Sequence, residues 1–337
     1  MMKQLSRLVA LAGLVVAVWL VIGSHPQAAF ESMRAAGGGL LIAALAHLLP
    51  MPLNARAWQI LMHGPRRPSL LKMLHCVWLR EAVNNMLPVA RVGGELVSFR
   101  MLRRAGVRSG PAAAGIVADL QLGLISQLVF TMVGIGFLFE HANSGSLRLA
   151  SELAWGVAAL APLLVLFALV QHARPFERMS RIINRVTSGK LTQIIGPSAR
   201  VDLSLRLIWR RRGVILRYLF IWQPAQRIAT SFEIWLALYF LGAHVSFWDA
   251  IVIEALIEAI NSAAFFVPGG LGVQEGGFML IGGALGLDPS MCVALAGARR
   301  IRDLVMYLPG LVAWQLTESS GRRDDPAVIP PRAAGIS

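Results

Sequence analysis

Hydrophobic residues run along this chain in long stretches separated by short arginine-rich segments. Crossing a bilayer core takes about 20 predominantly apolar residues at a rise of about 1.5 Å each. Residues 8–22, 37–62, 111–139, 153–170, 214–241 and 289–316 are the candidates, with Pro50 and Pro52 predicting a kink in the second. Gln223-Pro224 predicts another kink in 214–241. Two further apolar stretches are interrupted. Residues 70–87 contain Arg80, Glu81, Asn84 and Asn85 and end at Pro88. Residues 251–287 contain Glu254, Glu258 and Asn261, then a turn with Pro268, Gly269, Gly270 and Gly272, then Gln274 and Glu275. The two arms of 251–287 are each about 22 Å long, too short to cross comfortably. Unpaired backbone groups and carboxylates in hydrocarbon cost several kcal/mol each, so a broken helix at membrane depth must lie inside protein or beside a wet cavity. Transporters place binding sites at such breaks.

Composition fixes the class. Of 337 residues, 56% are hydrophobic and only 15% charged, where a soluble domain carries about a quarter. The net charge of +14 lies in the segments between hydrophobic runs, which fits a cytoplasmic membrane face better than a nucleic-acid partner. The same bias orients the chain. Both flanks of 70–87 are basic: Arg56, Arg66, Arg67 and Lys72 precede it, and Arg91, Arg100, Arg103, Arg104 and Arg108 follow against Glu95 alone. A re-entrant hairpin keeps both flanks inside. The basic loop 171–213 is either an ordinary positive-inside loop or a set of amphipathic helices on anionic headgroups. At the N-terminus, Lys3 and Arg7 precede 8–22. A retained first helix suits the polytopic remainder better than a signal peptide with Gln27-Ala28-Ala29 as a poor cleavage site.

The expectation is an all-α, polytopic integral membrane bundle with about six spanning helices and two broken re-entrant elements entering from opposite faces. Both termini are then cytoplasmic, with one domain over 1–317 and a short disordered tail at 318–337. Opposed re-entrant elements suggest an inverted repeat. Asn84-Asn85, Pro88 and Gly93-Gly94-Glu95 would correspond to Asn261, Pro268-Gly269-Gly270 and Gln274-Glu275.

Glu254, Glu258 and Asn261 share one helix face. They form either the wall of a polar cavity, holding a proton or cation, or a set of partners for arginines. Arg299, Arg300, Arg302 and Asp303 fall near mid-bilayer, where an unpaired charge costs at least about 2.5–3.5 kcal/mol. Arg299 and Asp303, at i and i+4, can pair. Arg302 and a neighbour are expected to meet Glu258, Glu275 or a lipid phosphate, whose oxygens suit the guanidinium fork. A purely structural ion-pair cluster is the alternative. Asp119, Gln121, Arg227 and Glu233 read individually as interhelical hydrogen-bonding groups. Cys76 and Cys292 sit in apolar stretches, no histidine pair has metal-ligand spacing, and no phosphate-cradling loop occurs, so no metal or cofactor is expected.

The run from Asn84-Asn85 through Pro88, Arg91 and Gly93-Gly94-Glu95 to Arg104 resembles the first motif of the lysylphosphatidylglycerol-synthase transmembrane-region superfamily. The run from Phe265-Phe266 through Pro268-Gly269-Gly270, Gly272 and Gln274-Glu275 to Gly277 resembles its second, more specific one. Arg299-Arg300 and Arg302-Asp303 match its charged last helix. With Leu308-Pro309-Gly310 and Trp314-Gln315, these motifs are most similar to the branch associated with hopanoid biosynthesis. The resemblance covers nearly the whole chain. It implies a bacterial inner-membrane protein that moves an anionic phospholipid or hopanoid-type lipid between leaflets, as a non-enzyme. Lipid-biosynthesis enzymes and a second copy of the chain are its possible partners. Larger members carry an aminoacyltransferase domain absent from this sequence, so lysine transfer is not expected. The residues expected to meet lipid are Arg299, Arg300, Arg302, Asp303, Glu258, Glu275, Asn261, Pro268, Gly269, Gly270, Gly272 and Gln274, with Asn85, Arg91 and Glu95 at the cytoplasmic mouth. A lipid-modifying enzyme with Glu258 or Asp119 as general base, and a scaffold for biosynthetic enzymes, are the alternatives.

Overall fold

Proline and glycine set most of the helix boundaries in a computed structural model of the chain, which describes residues 26–62, 67–87, 93–140, 151, 198–264, 267, 270 and 272–323. The candidate spans 8–22 and 153–170, residues 324–337, and Arg91, Pro268 and Gly269 lie outside the described residues. All regular structure among those residues is helical. Helix α1 (Pro26–Ala36) ends at Gly37, whose φ of 48° is in the left-handed region, and α2 (Gly38–Ala46) follows. The kink expected from Pro50 is a break at His47–Leu49, with Pro50 opening α3 (Pro50–Leu61), where its missing N–H costs nothing.

The first interrupted stretch forms a helical hairpin, α4 (Leu70–Met86) and α5 (Gly93–Arg104). Ser69 caps α4 by accepting from the Lys72 amide, and the Asn84 side-chain Oδ1 accepts the Gly94 amide at 2.8 Å, tying the two arms together. Long helix α6 (Ser109–Glu140) follows. In the basic segment, α7 (Ser198–Arg210) and α8 (Arg212–Arg217) lead into a π-helical turn, Tyr218–Trp222, directly before Pro224 in α9 (Gln223–Phe240). The predicted kink is thus taken up by a wider turn. The second interrupted stretch is also a hairpin. Helix α10 (Phe247–Ala263) starts at a Ser246/Asp249 capping box, and α11 (Val273–Ala284) starts where Glu275 Oε2 accepts the Gly272 amide at 2.8 Å. Helix α12 (Pro289–Arg323) ends the described chain.

The hairpins pack reciprocally. The second arms, α5 and α11, pack on the long helix that follows each of them, α6 and α12 respectively. The first arms cross over, α4 packing on α12 and α10 on α6, while α2 and α3 meet α9 between the halves. The two halves thus make corresponding contacts, first arm to the other half's long helix and second arm to its own. Large apolar side chains face outward along α2 (Leu41, Ile42, Leu45), α6 (Leu124, Val129, Met132) and α12 (Leu304, Leu308, Val312), a surface suited to hydrocarbon.

Two stretches among the described residues, Gly38–Leu61 and Ser109–Glu140, are long and apolar enough to cross a membrane, fewer than the six expected. The region around α9 and helix α12 fall short because Arg217, Arg227, Glu233, Arg299, Arg300, Arg302 and Asp303 interrupt their hydrophobicity. Helix α7 also departs from a simple headgroup-bound helix. Its Val201, Leu205 and Ile208 are buried against the cluster that holds the N-terminal part of α6, and Trp209 donates to Gln121 at 3.2 Å.

Gly94 has little room. A Cβ there would lie 2.5 Å from the Arg80 carbonyl oxygen and 2.6 Å from the Asn84 carboxamide, whereas one on Gly38 meets nothing within 4 Å. Gly94→Ala is expected to cost about 1–3 kcal/mol through forced separation of α4 and α5. Melting curves in one detergent should show a lower Tm for Gly94→Ala and little change for Gly38→Ala.

Candidate polar cavity

The reciprocal packing encloses a cavity of about 360 Å³ whose wall draws charged residues from both halves. On one side, α12 presents Arg299 to the carboxylates of α10. Its guanidinium donates to Glu254 at 2.8 Å and to Glu258 at 3.1 Å. One turn on, Arg302 donates to Asp303 at 2.9 Å and to Glu233 of α9 at 3.2 Å. His47, in the break between α2 and α3, continues this network. Its Nδ1 is 2.6 Å from Glu233 and its Nε2 is 2.9 Å from the Tyr307 hydroxyl. Arg299, Arg302, Asp303, Glu233, Glu254 and His47 are all buried.

On the other side, Arg80 of α4 donates to Asp119 of α6 at 2.8 Å and lies over the Trp58 ring at 4.9 Å. Tyr218, in the π turn, donates to the other Asp119 oxygen at 2.8 Å and accepts from Gln223 at 3.0 Å. The two halves therefore mirror each other with opposite sign. A cationic first arm meets an acidic long helix in the first half, and an acidic first arm meets a cationic long helix in the second. Asp119 and Arg299 each lie in the third turn of their helix.

Of the residues expected to meet lipid, Arg299, Arg302, Glu258, Gln274, Asn85 and Glu95 line this one cavity. Asp303 stands beside it on Arg302. Arg300 is directed elsewhere and donates to Glu275 at 2.9 Å, while Glu275 also caps α11. The i, i+4 pair of Arg299 with Asp303 does not form; Asp303 takes Arg302, and Arg299 reaches across to α10. Gly270 and Gly272 have φ of 60° and 77°, a conformation that favours glycine. Asn261 is buried, and neither atom of its carboxamide has a partner among the described residues.

His47, Arg80, Tyr218, Gln223 and Arg227 complete the wall. Of these, Arg80 and Arg227 stood out in the sequence as charges inside apolar stretches. The site roles of His47, Tyr218 and Gln223 carry no local signal, since each depends on partners far along the chain. Arg227 differs from the other wall arginines. It lies over Phe130 at 5.6 Å, and its Nε has no hydrogen-bond partner among the described residues. Oxygen atoms of Glu95, Gln226 and Gln274 are likewise buried and unpartnered there. Buried polar atoms without a partner are costly, and beside a cavity a small local shift would let water or an entering polar group satisfy them.

The family model for the lysylphosphatidylglycerol synthase TM region matches residues 7–310. A UPF0104 membrane protein of Pyrococcus horikoshii is 24% identical over 298 residues, spanning 83% of this chain and 86% of that protein. No solved structure matches the chain.

Proposed function

The chain belongs to the lysylphosphatidylglycerol synthase TM region family, and on that premise we propose that it is a membrane lipid translocator whose central cavity carries a phosphate-bearing headgroup between leaflets. The observation that supports this most directly is a cavity joining two broken hairpins, with unpartnered polar atoms in its wall. An anionic phospholipid is the first candidate cargo. A hopanoid-type lipid is the second, supported only by the resemblance of the motifs to the hopanoid-associated branch. In this reading both termini and the hairpin α4–α5 lie on the cytoplasmic side of a bacterial inner membrane, an orientation that the positive-inside bias of the basic segments supports.

The cavity is not a simple anion trap. Arg80, Arg299 and Arg302 are each held by carboxylates, so only an exchange of partners frees them. In the proposed cycle the phosphate first meets Arg227, the wall arginine whose Nε is buried without a hydrogen-bond partner among the described residues. It then takes Arg299 from Glu258, the more exposed of its two acids. Glu258 recaptures Arg299 when the phosphate leaves. This makes the ion pairs exchange partners rather than fixed struts, and no nucleotide hydrolysis is invoked.

The test is leaflet exchange in proteoliposomes, using a headgroup-labelled phosphatidylglycerol and a membrane-impermeant quencher. Exchange faster than in empty vesicles is expected, with a fall of about tenfold in Arg227→Ala, equivalent to roughly 1.4 kcal/mol in the barrier. Glu258→Gln should also slow exchange, through delayed release of the phosphate. Full activity in both variants would remove the cavity from the transport path.

A further inference from the structure

A second, larger depression lies on the other side of the wall that bounds the polar cavity. It measures about 880 Å³, within the roughly 300–1,000 Å³ of pockets that hold small organic ligands. Leu48, Met51 and Pro52, the outer face of α4, the end of α5, and Val305, Met306 and Pro309 of α12 form it. The lining is apolar apart from Lys72, His75 and Arg104, and it contains no acid. Trp78 presents only its ring, because the indole N–H is used by the Met306 carbonyl at 2.7 Å.

The charged residues are not scattered through the groove. Lys72 is in the first turn of α4 and Arg104 is the last residue of α5. In an antiparallel hairpin those two positions lie at the same end, and both side chains are exposed. The groove thus has an apolar body and a cationic end. That profile complements an anionic amphiphile, with phosphate on the cations and a hydrocarbon chain in the body.

The wall itself is shared. Along α4, Val77 and Arg80 face the polar cavity while Cys76 and Trp78 face the groove. Along α12, Arg302 and Tyr307 face the cavity while Val305 and Met306 face the groove. Met51 borders both. We infer that the groove is a binding site for an anionic phospholipid, with its phosphate on Lys72 and Arg104 and an acyl chain against Trp78 and Met306. Met51 lines both spaces, so the crossing from groove to central cavity lies there, beyond the apolar body of the groove. The loading role rests on the translocator reading; the binding does not.

Native mass spectrometry of the full-length protein, exchanged into micelles with equal amounts of phosphatidylglycerol and phosphatidylcholine of identical chains, tests the site. Preferential retention of phosphatidylglycerol is expected, reduced at least about fivefold by Lys72→Glu with Arg104→Glu, equivalent to roughly 1 kcal/mol. Met306→Trp, which fills the body of the groove, should lower retention with both cations intact. Chain-free glycerol phosphate should not displace the lipid. Lys72→Gln with Arg104→Gln gives the same reading should the reversal unfold the chain. Equal retention of the two lipids, or no loss in the charge variants, would mean annular lipid only and overturn the site. Retention that survives in Arg302→Ala while leaflet exchange is lost supports the separation of groove from cavity. Retention without exchange in any form of the protein keeps the groove and removes the translocator reading.

Discussion

Arg302→Ala is expected to abolish leaflet exchange within detection and to lower Tm by the largest amount of any single cavity variant. The reason is the position of Arg302 between two acids on different helices. Its guanidinium reaches Asp303 on α12 and Glu233 on α9, and Glu233 holds His47 at the break between α2 and α3. Removing the arginine leaves two buried carboxylates with one histidine between them. Breaking a buried pair by removing one partner costs about 3–5 kcal/mol. Loss of exchange alone would therefore not separate a transport role from a structural one, and two further variants do so. Arg302→Lys keeps the charge but loses the planar fork that spans both acids, so much of the stability should return while exchange stays low. Glu233→Gln in the Arg302→Ala background removes one stranded charge and should raise Tm above that of Arg302→Ala without restoring exchange. Tm in detergent and quencher-based exchange, measured on the same preparations, check the pattern. Full exchange in Arg302→Lys would assign the residue to the framework instead.

Much of this arrangement is legible in the sequence because hydrocarbon is an intolerant solvent. Every proline, glycine pair or charge inside an apolar stretch requires a structural remedy. Pro50 and Gln223-Pro224 accordingly mark a helix break and a π turn, and 251–287 is a helical hairpin, while 70–87 is a single helix that pairs with a second arm formed by the basic segment after it. Of the mid-helix arginines of α12, Arg299 finds the acids of α10 and Arg300 finds Glu275, whereas Arg302, expected at Glu258, Glu275 or a phosphate, takes Asp303 and Glu233 instead. What periodicity does not supply is register between helices. Local spacing favours Asp303 as the partner of Arg299, yet the approach of α10 brings Glu254 and Glu258 closer and leaves Asp303 to Arg302. His47 and Tyr307 are 260 positions apart, so nothing local announces their contact. The basic helix α7 shows what charge alone does not give. Its arginines suggest a headgroup surface, while Val201, Leu205 and Ile208 seat its other edge in the core.

Asp119→Ala should be the most destabilising change in the first half, for a reason that does not involve transport. The aspartate accepts from Arg80 on one oxygen and from Tyr218 on the other, and Tyr218 in turn accepts from Gln223. One deletion thus strands a guanidinium and a phenol, both buried. A loss of about 3–5 kcal/mol is expected for Asp119→Ala, and a similar loss for Arg80→Ala, which also uncovers the indole of Trp58. The double variant Arg80→Met with Asp119→Leu should be more stable than either single alanine variant, since well-packed apolar groups replace a buried pair at little cost. Exchange activity is the informative second axis. Arg80 and Asp119 line the same cavity as Arg299 but carry the opposite arrangement of sign, cation on the hairpin arm and acid on the long helix. In a carrier that swings its two halves alternately about one site, both pairs must open in turn, so the apolar double should fold well yet exchange lipid slowly. If the double both folds and exchanges normally, only the second half opens during transport, and the Arg80–Asp119 pair is a fixed hinge post against which α10 and α12 move.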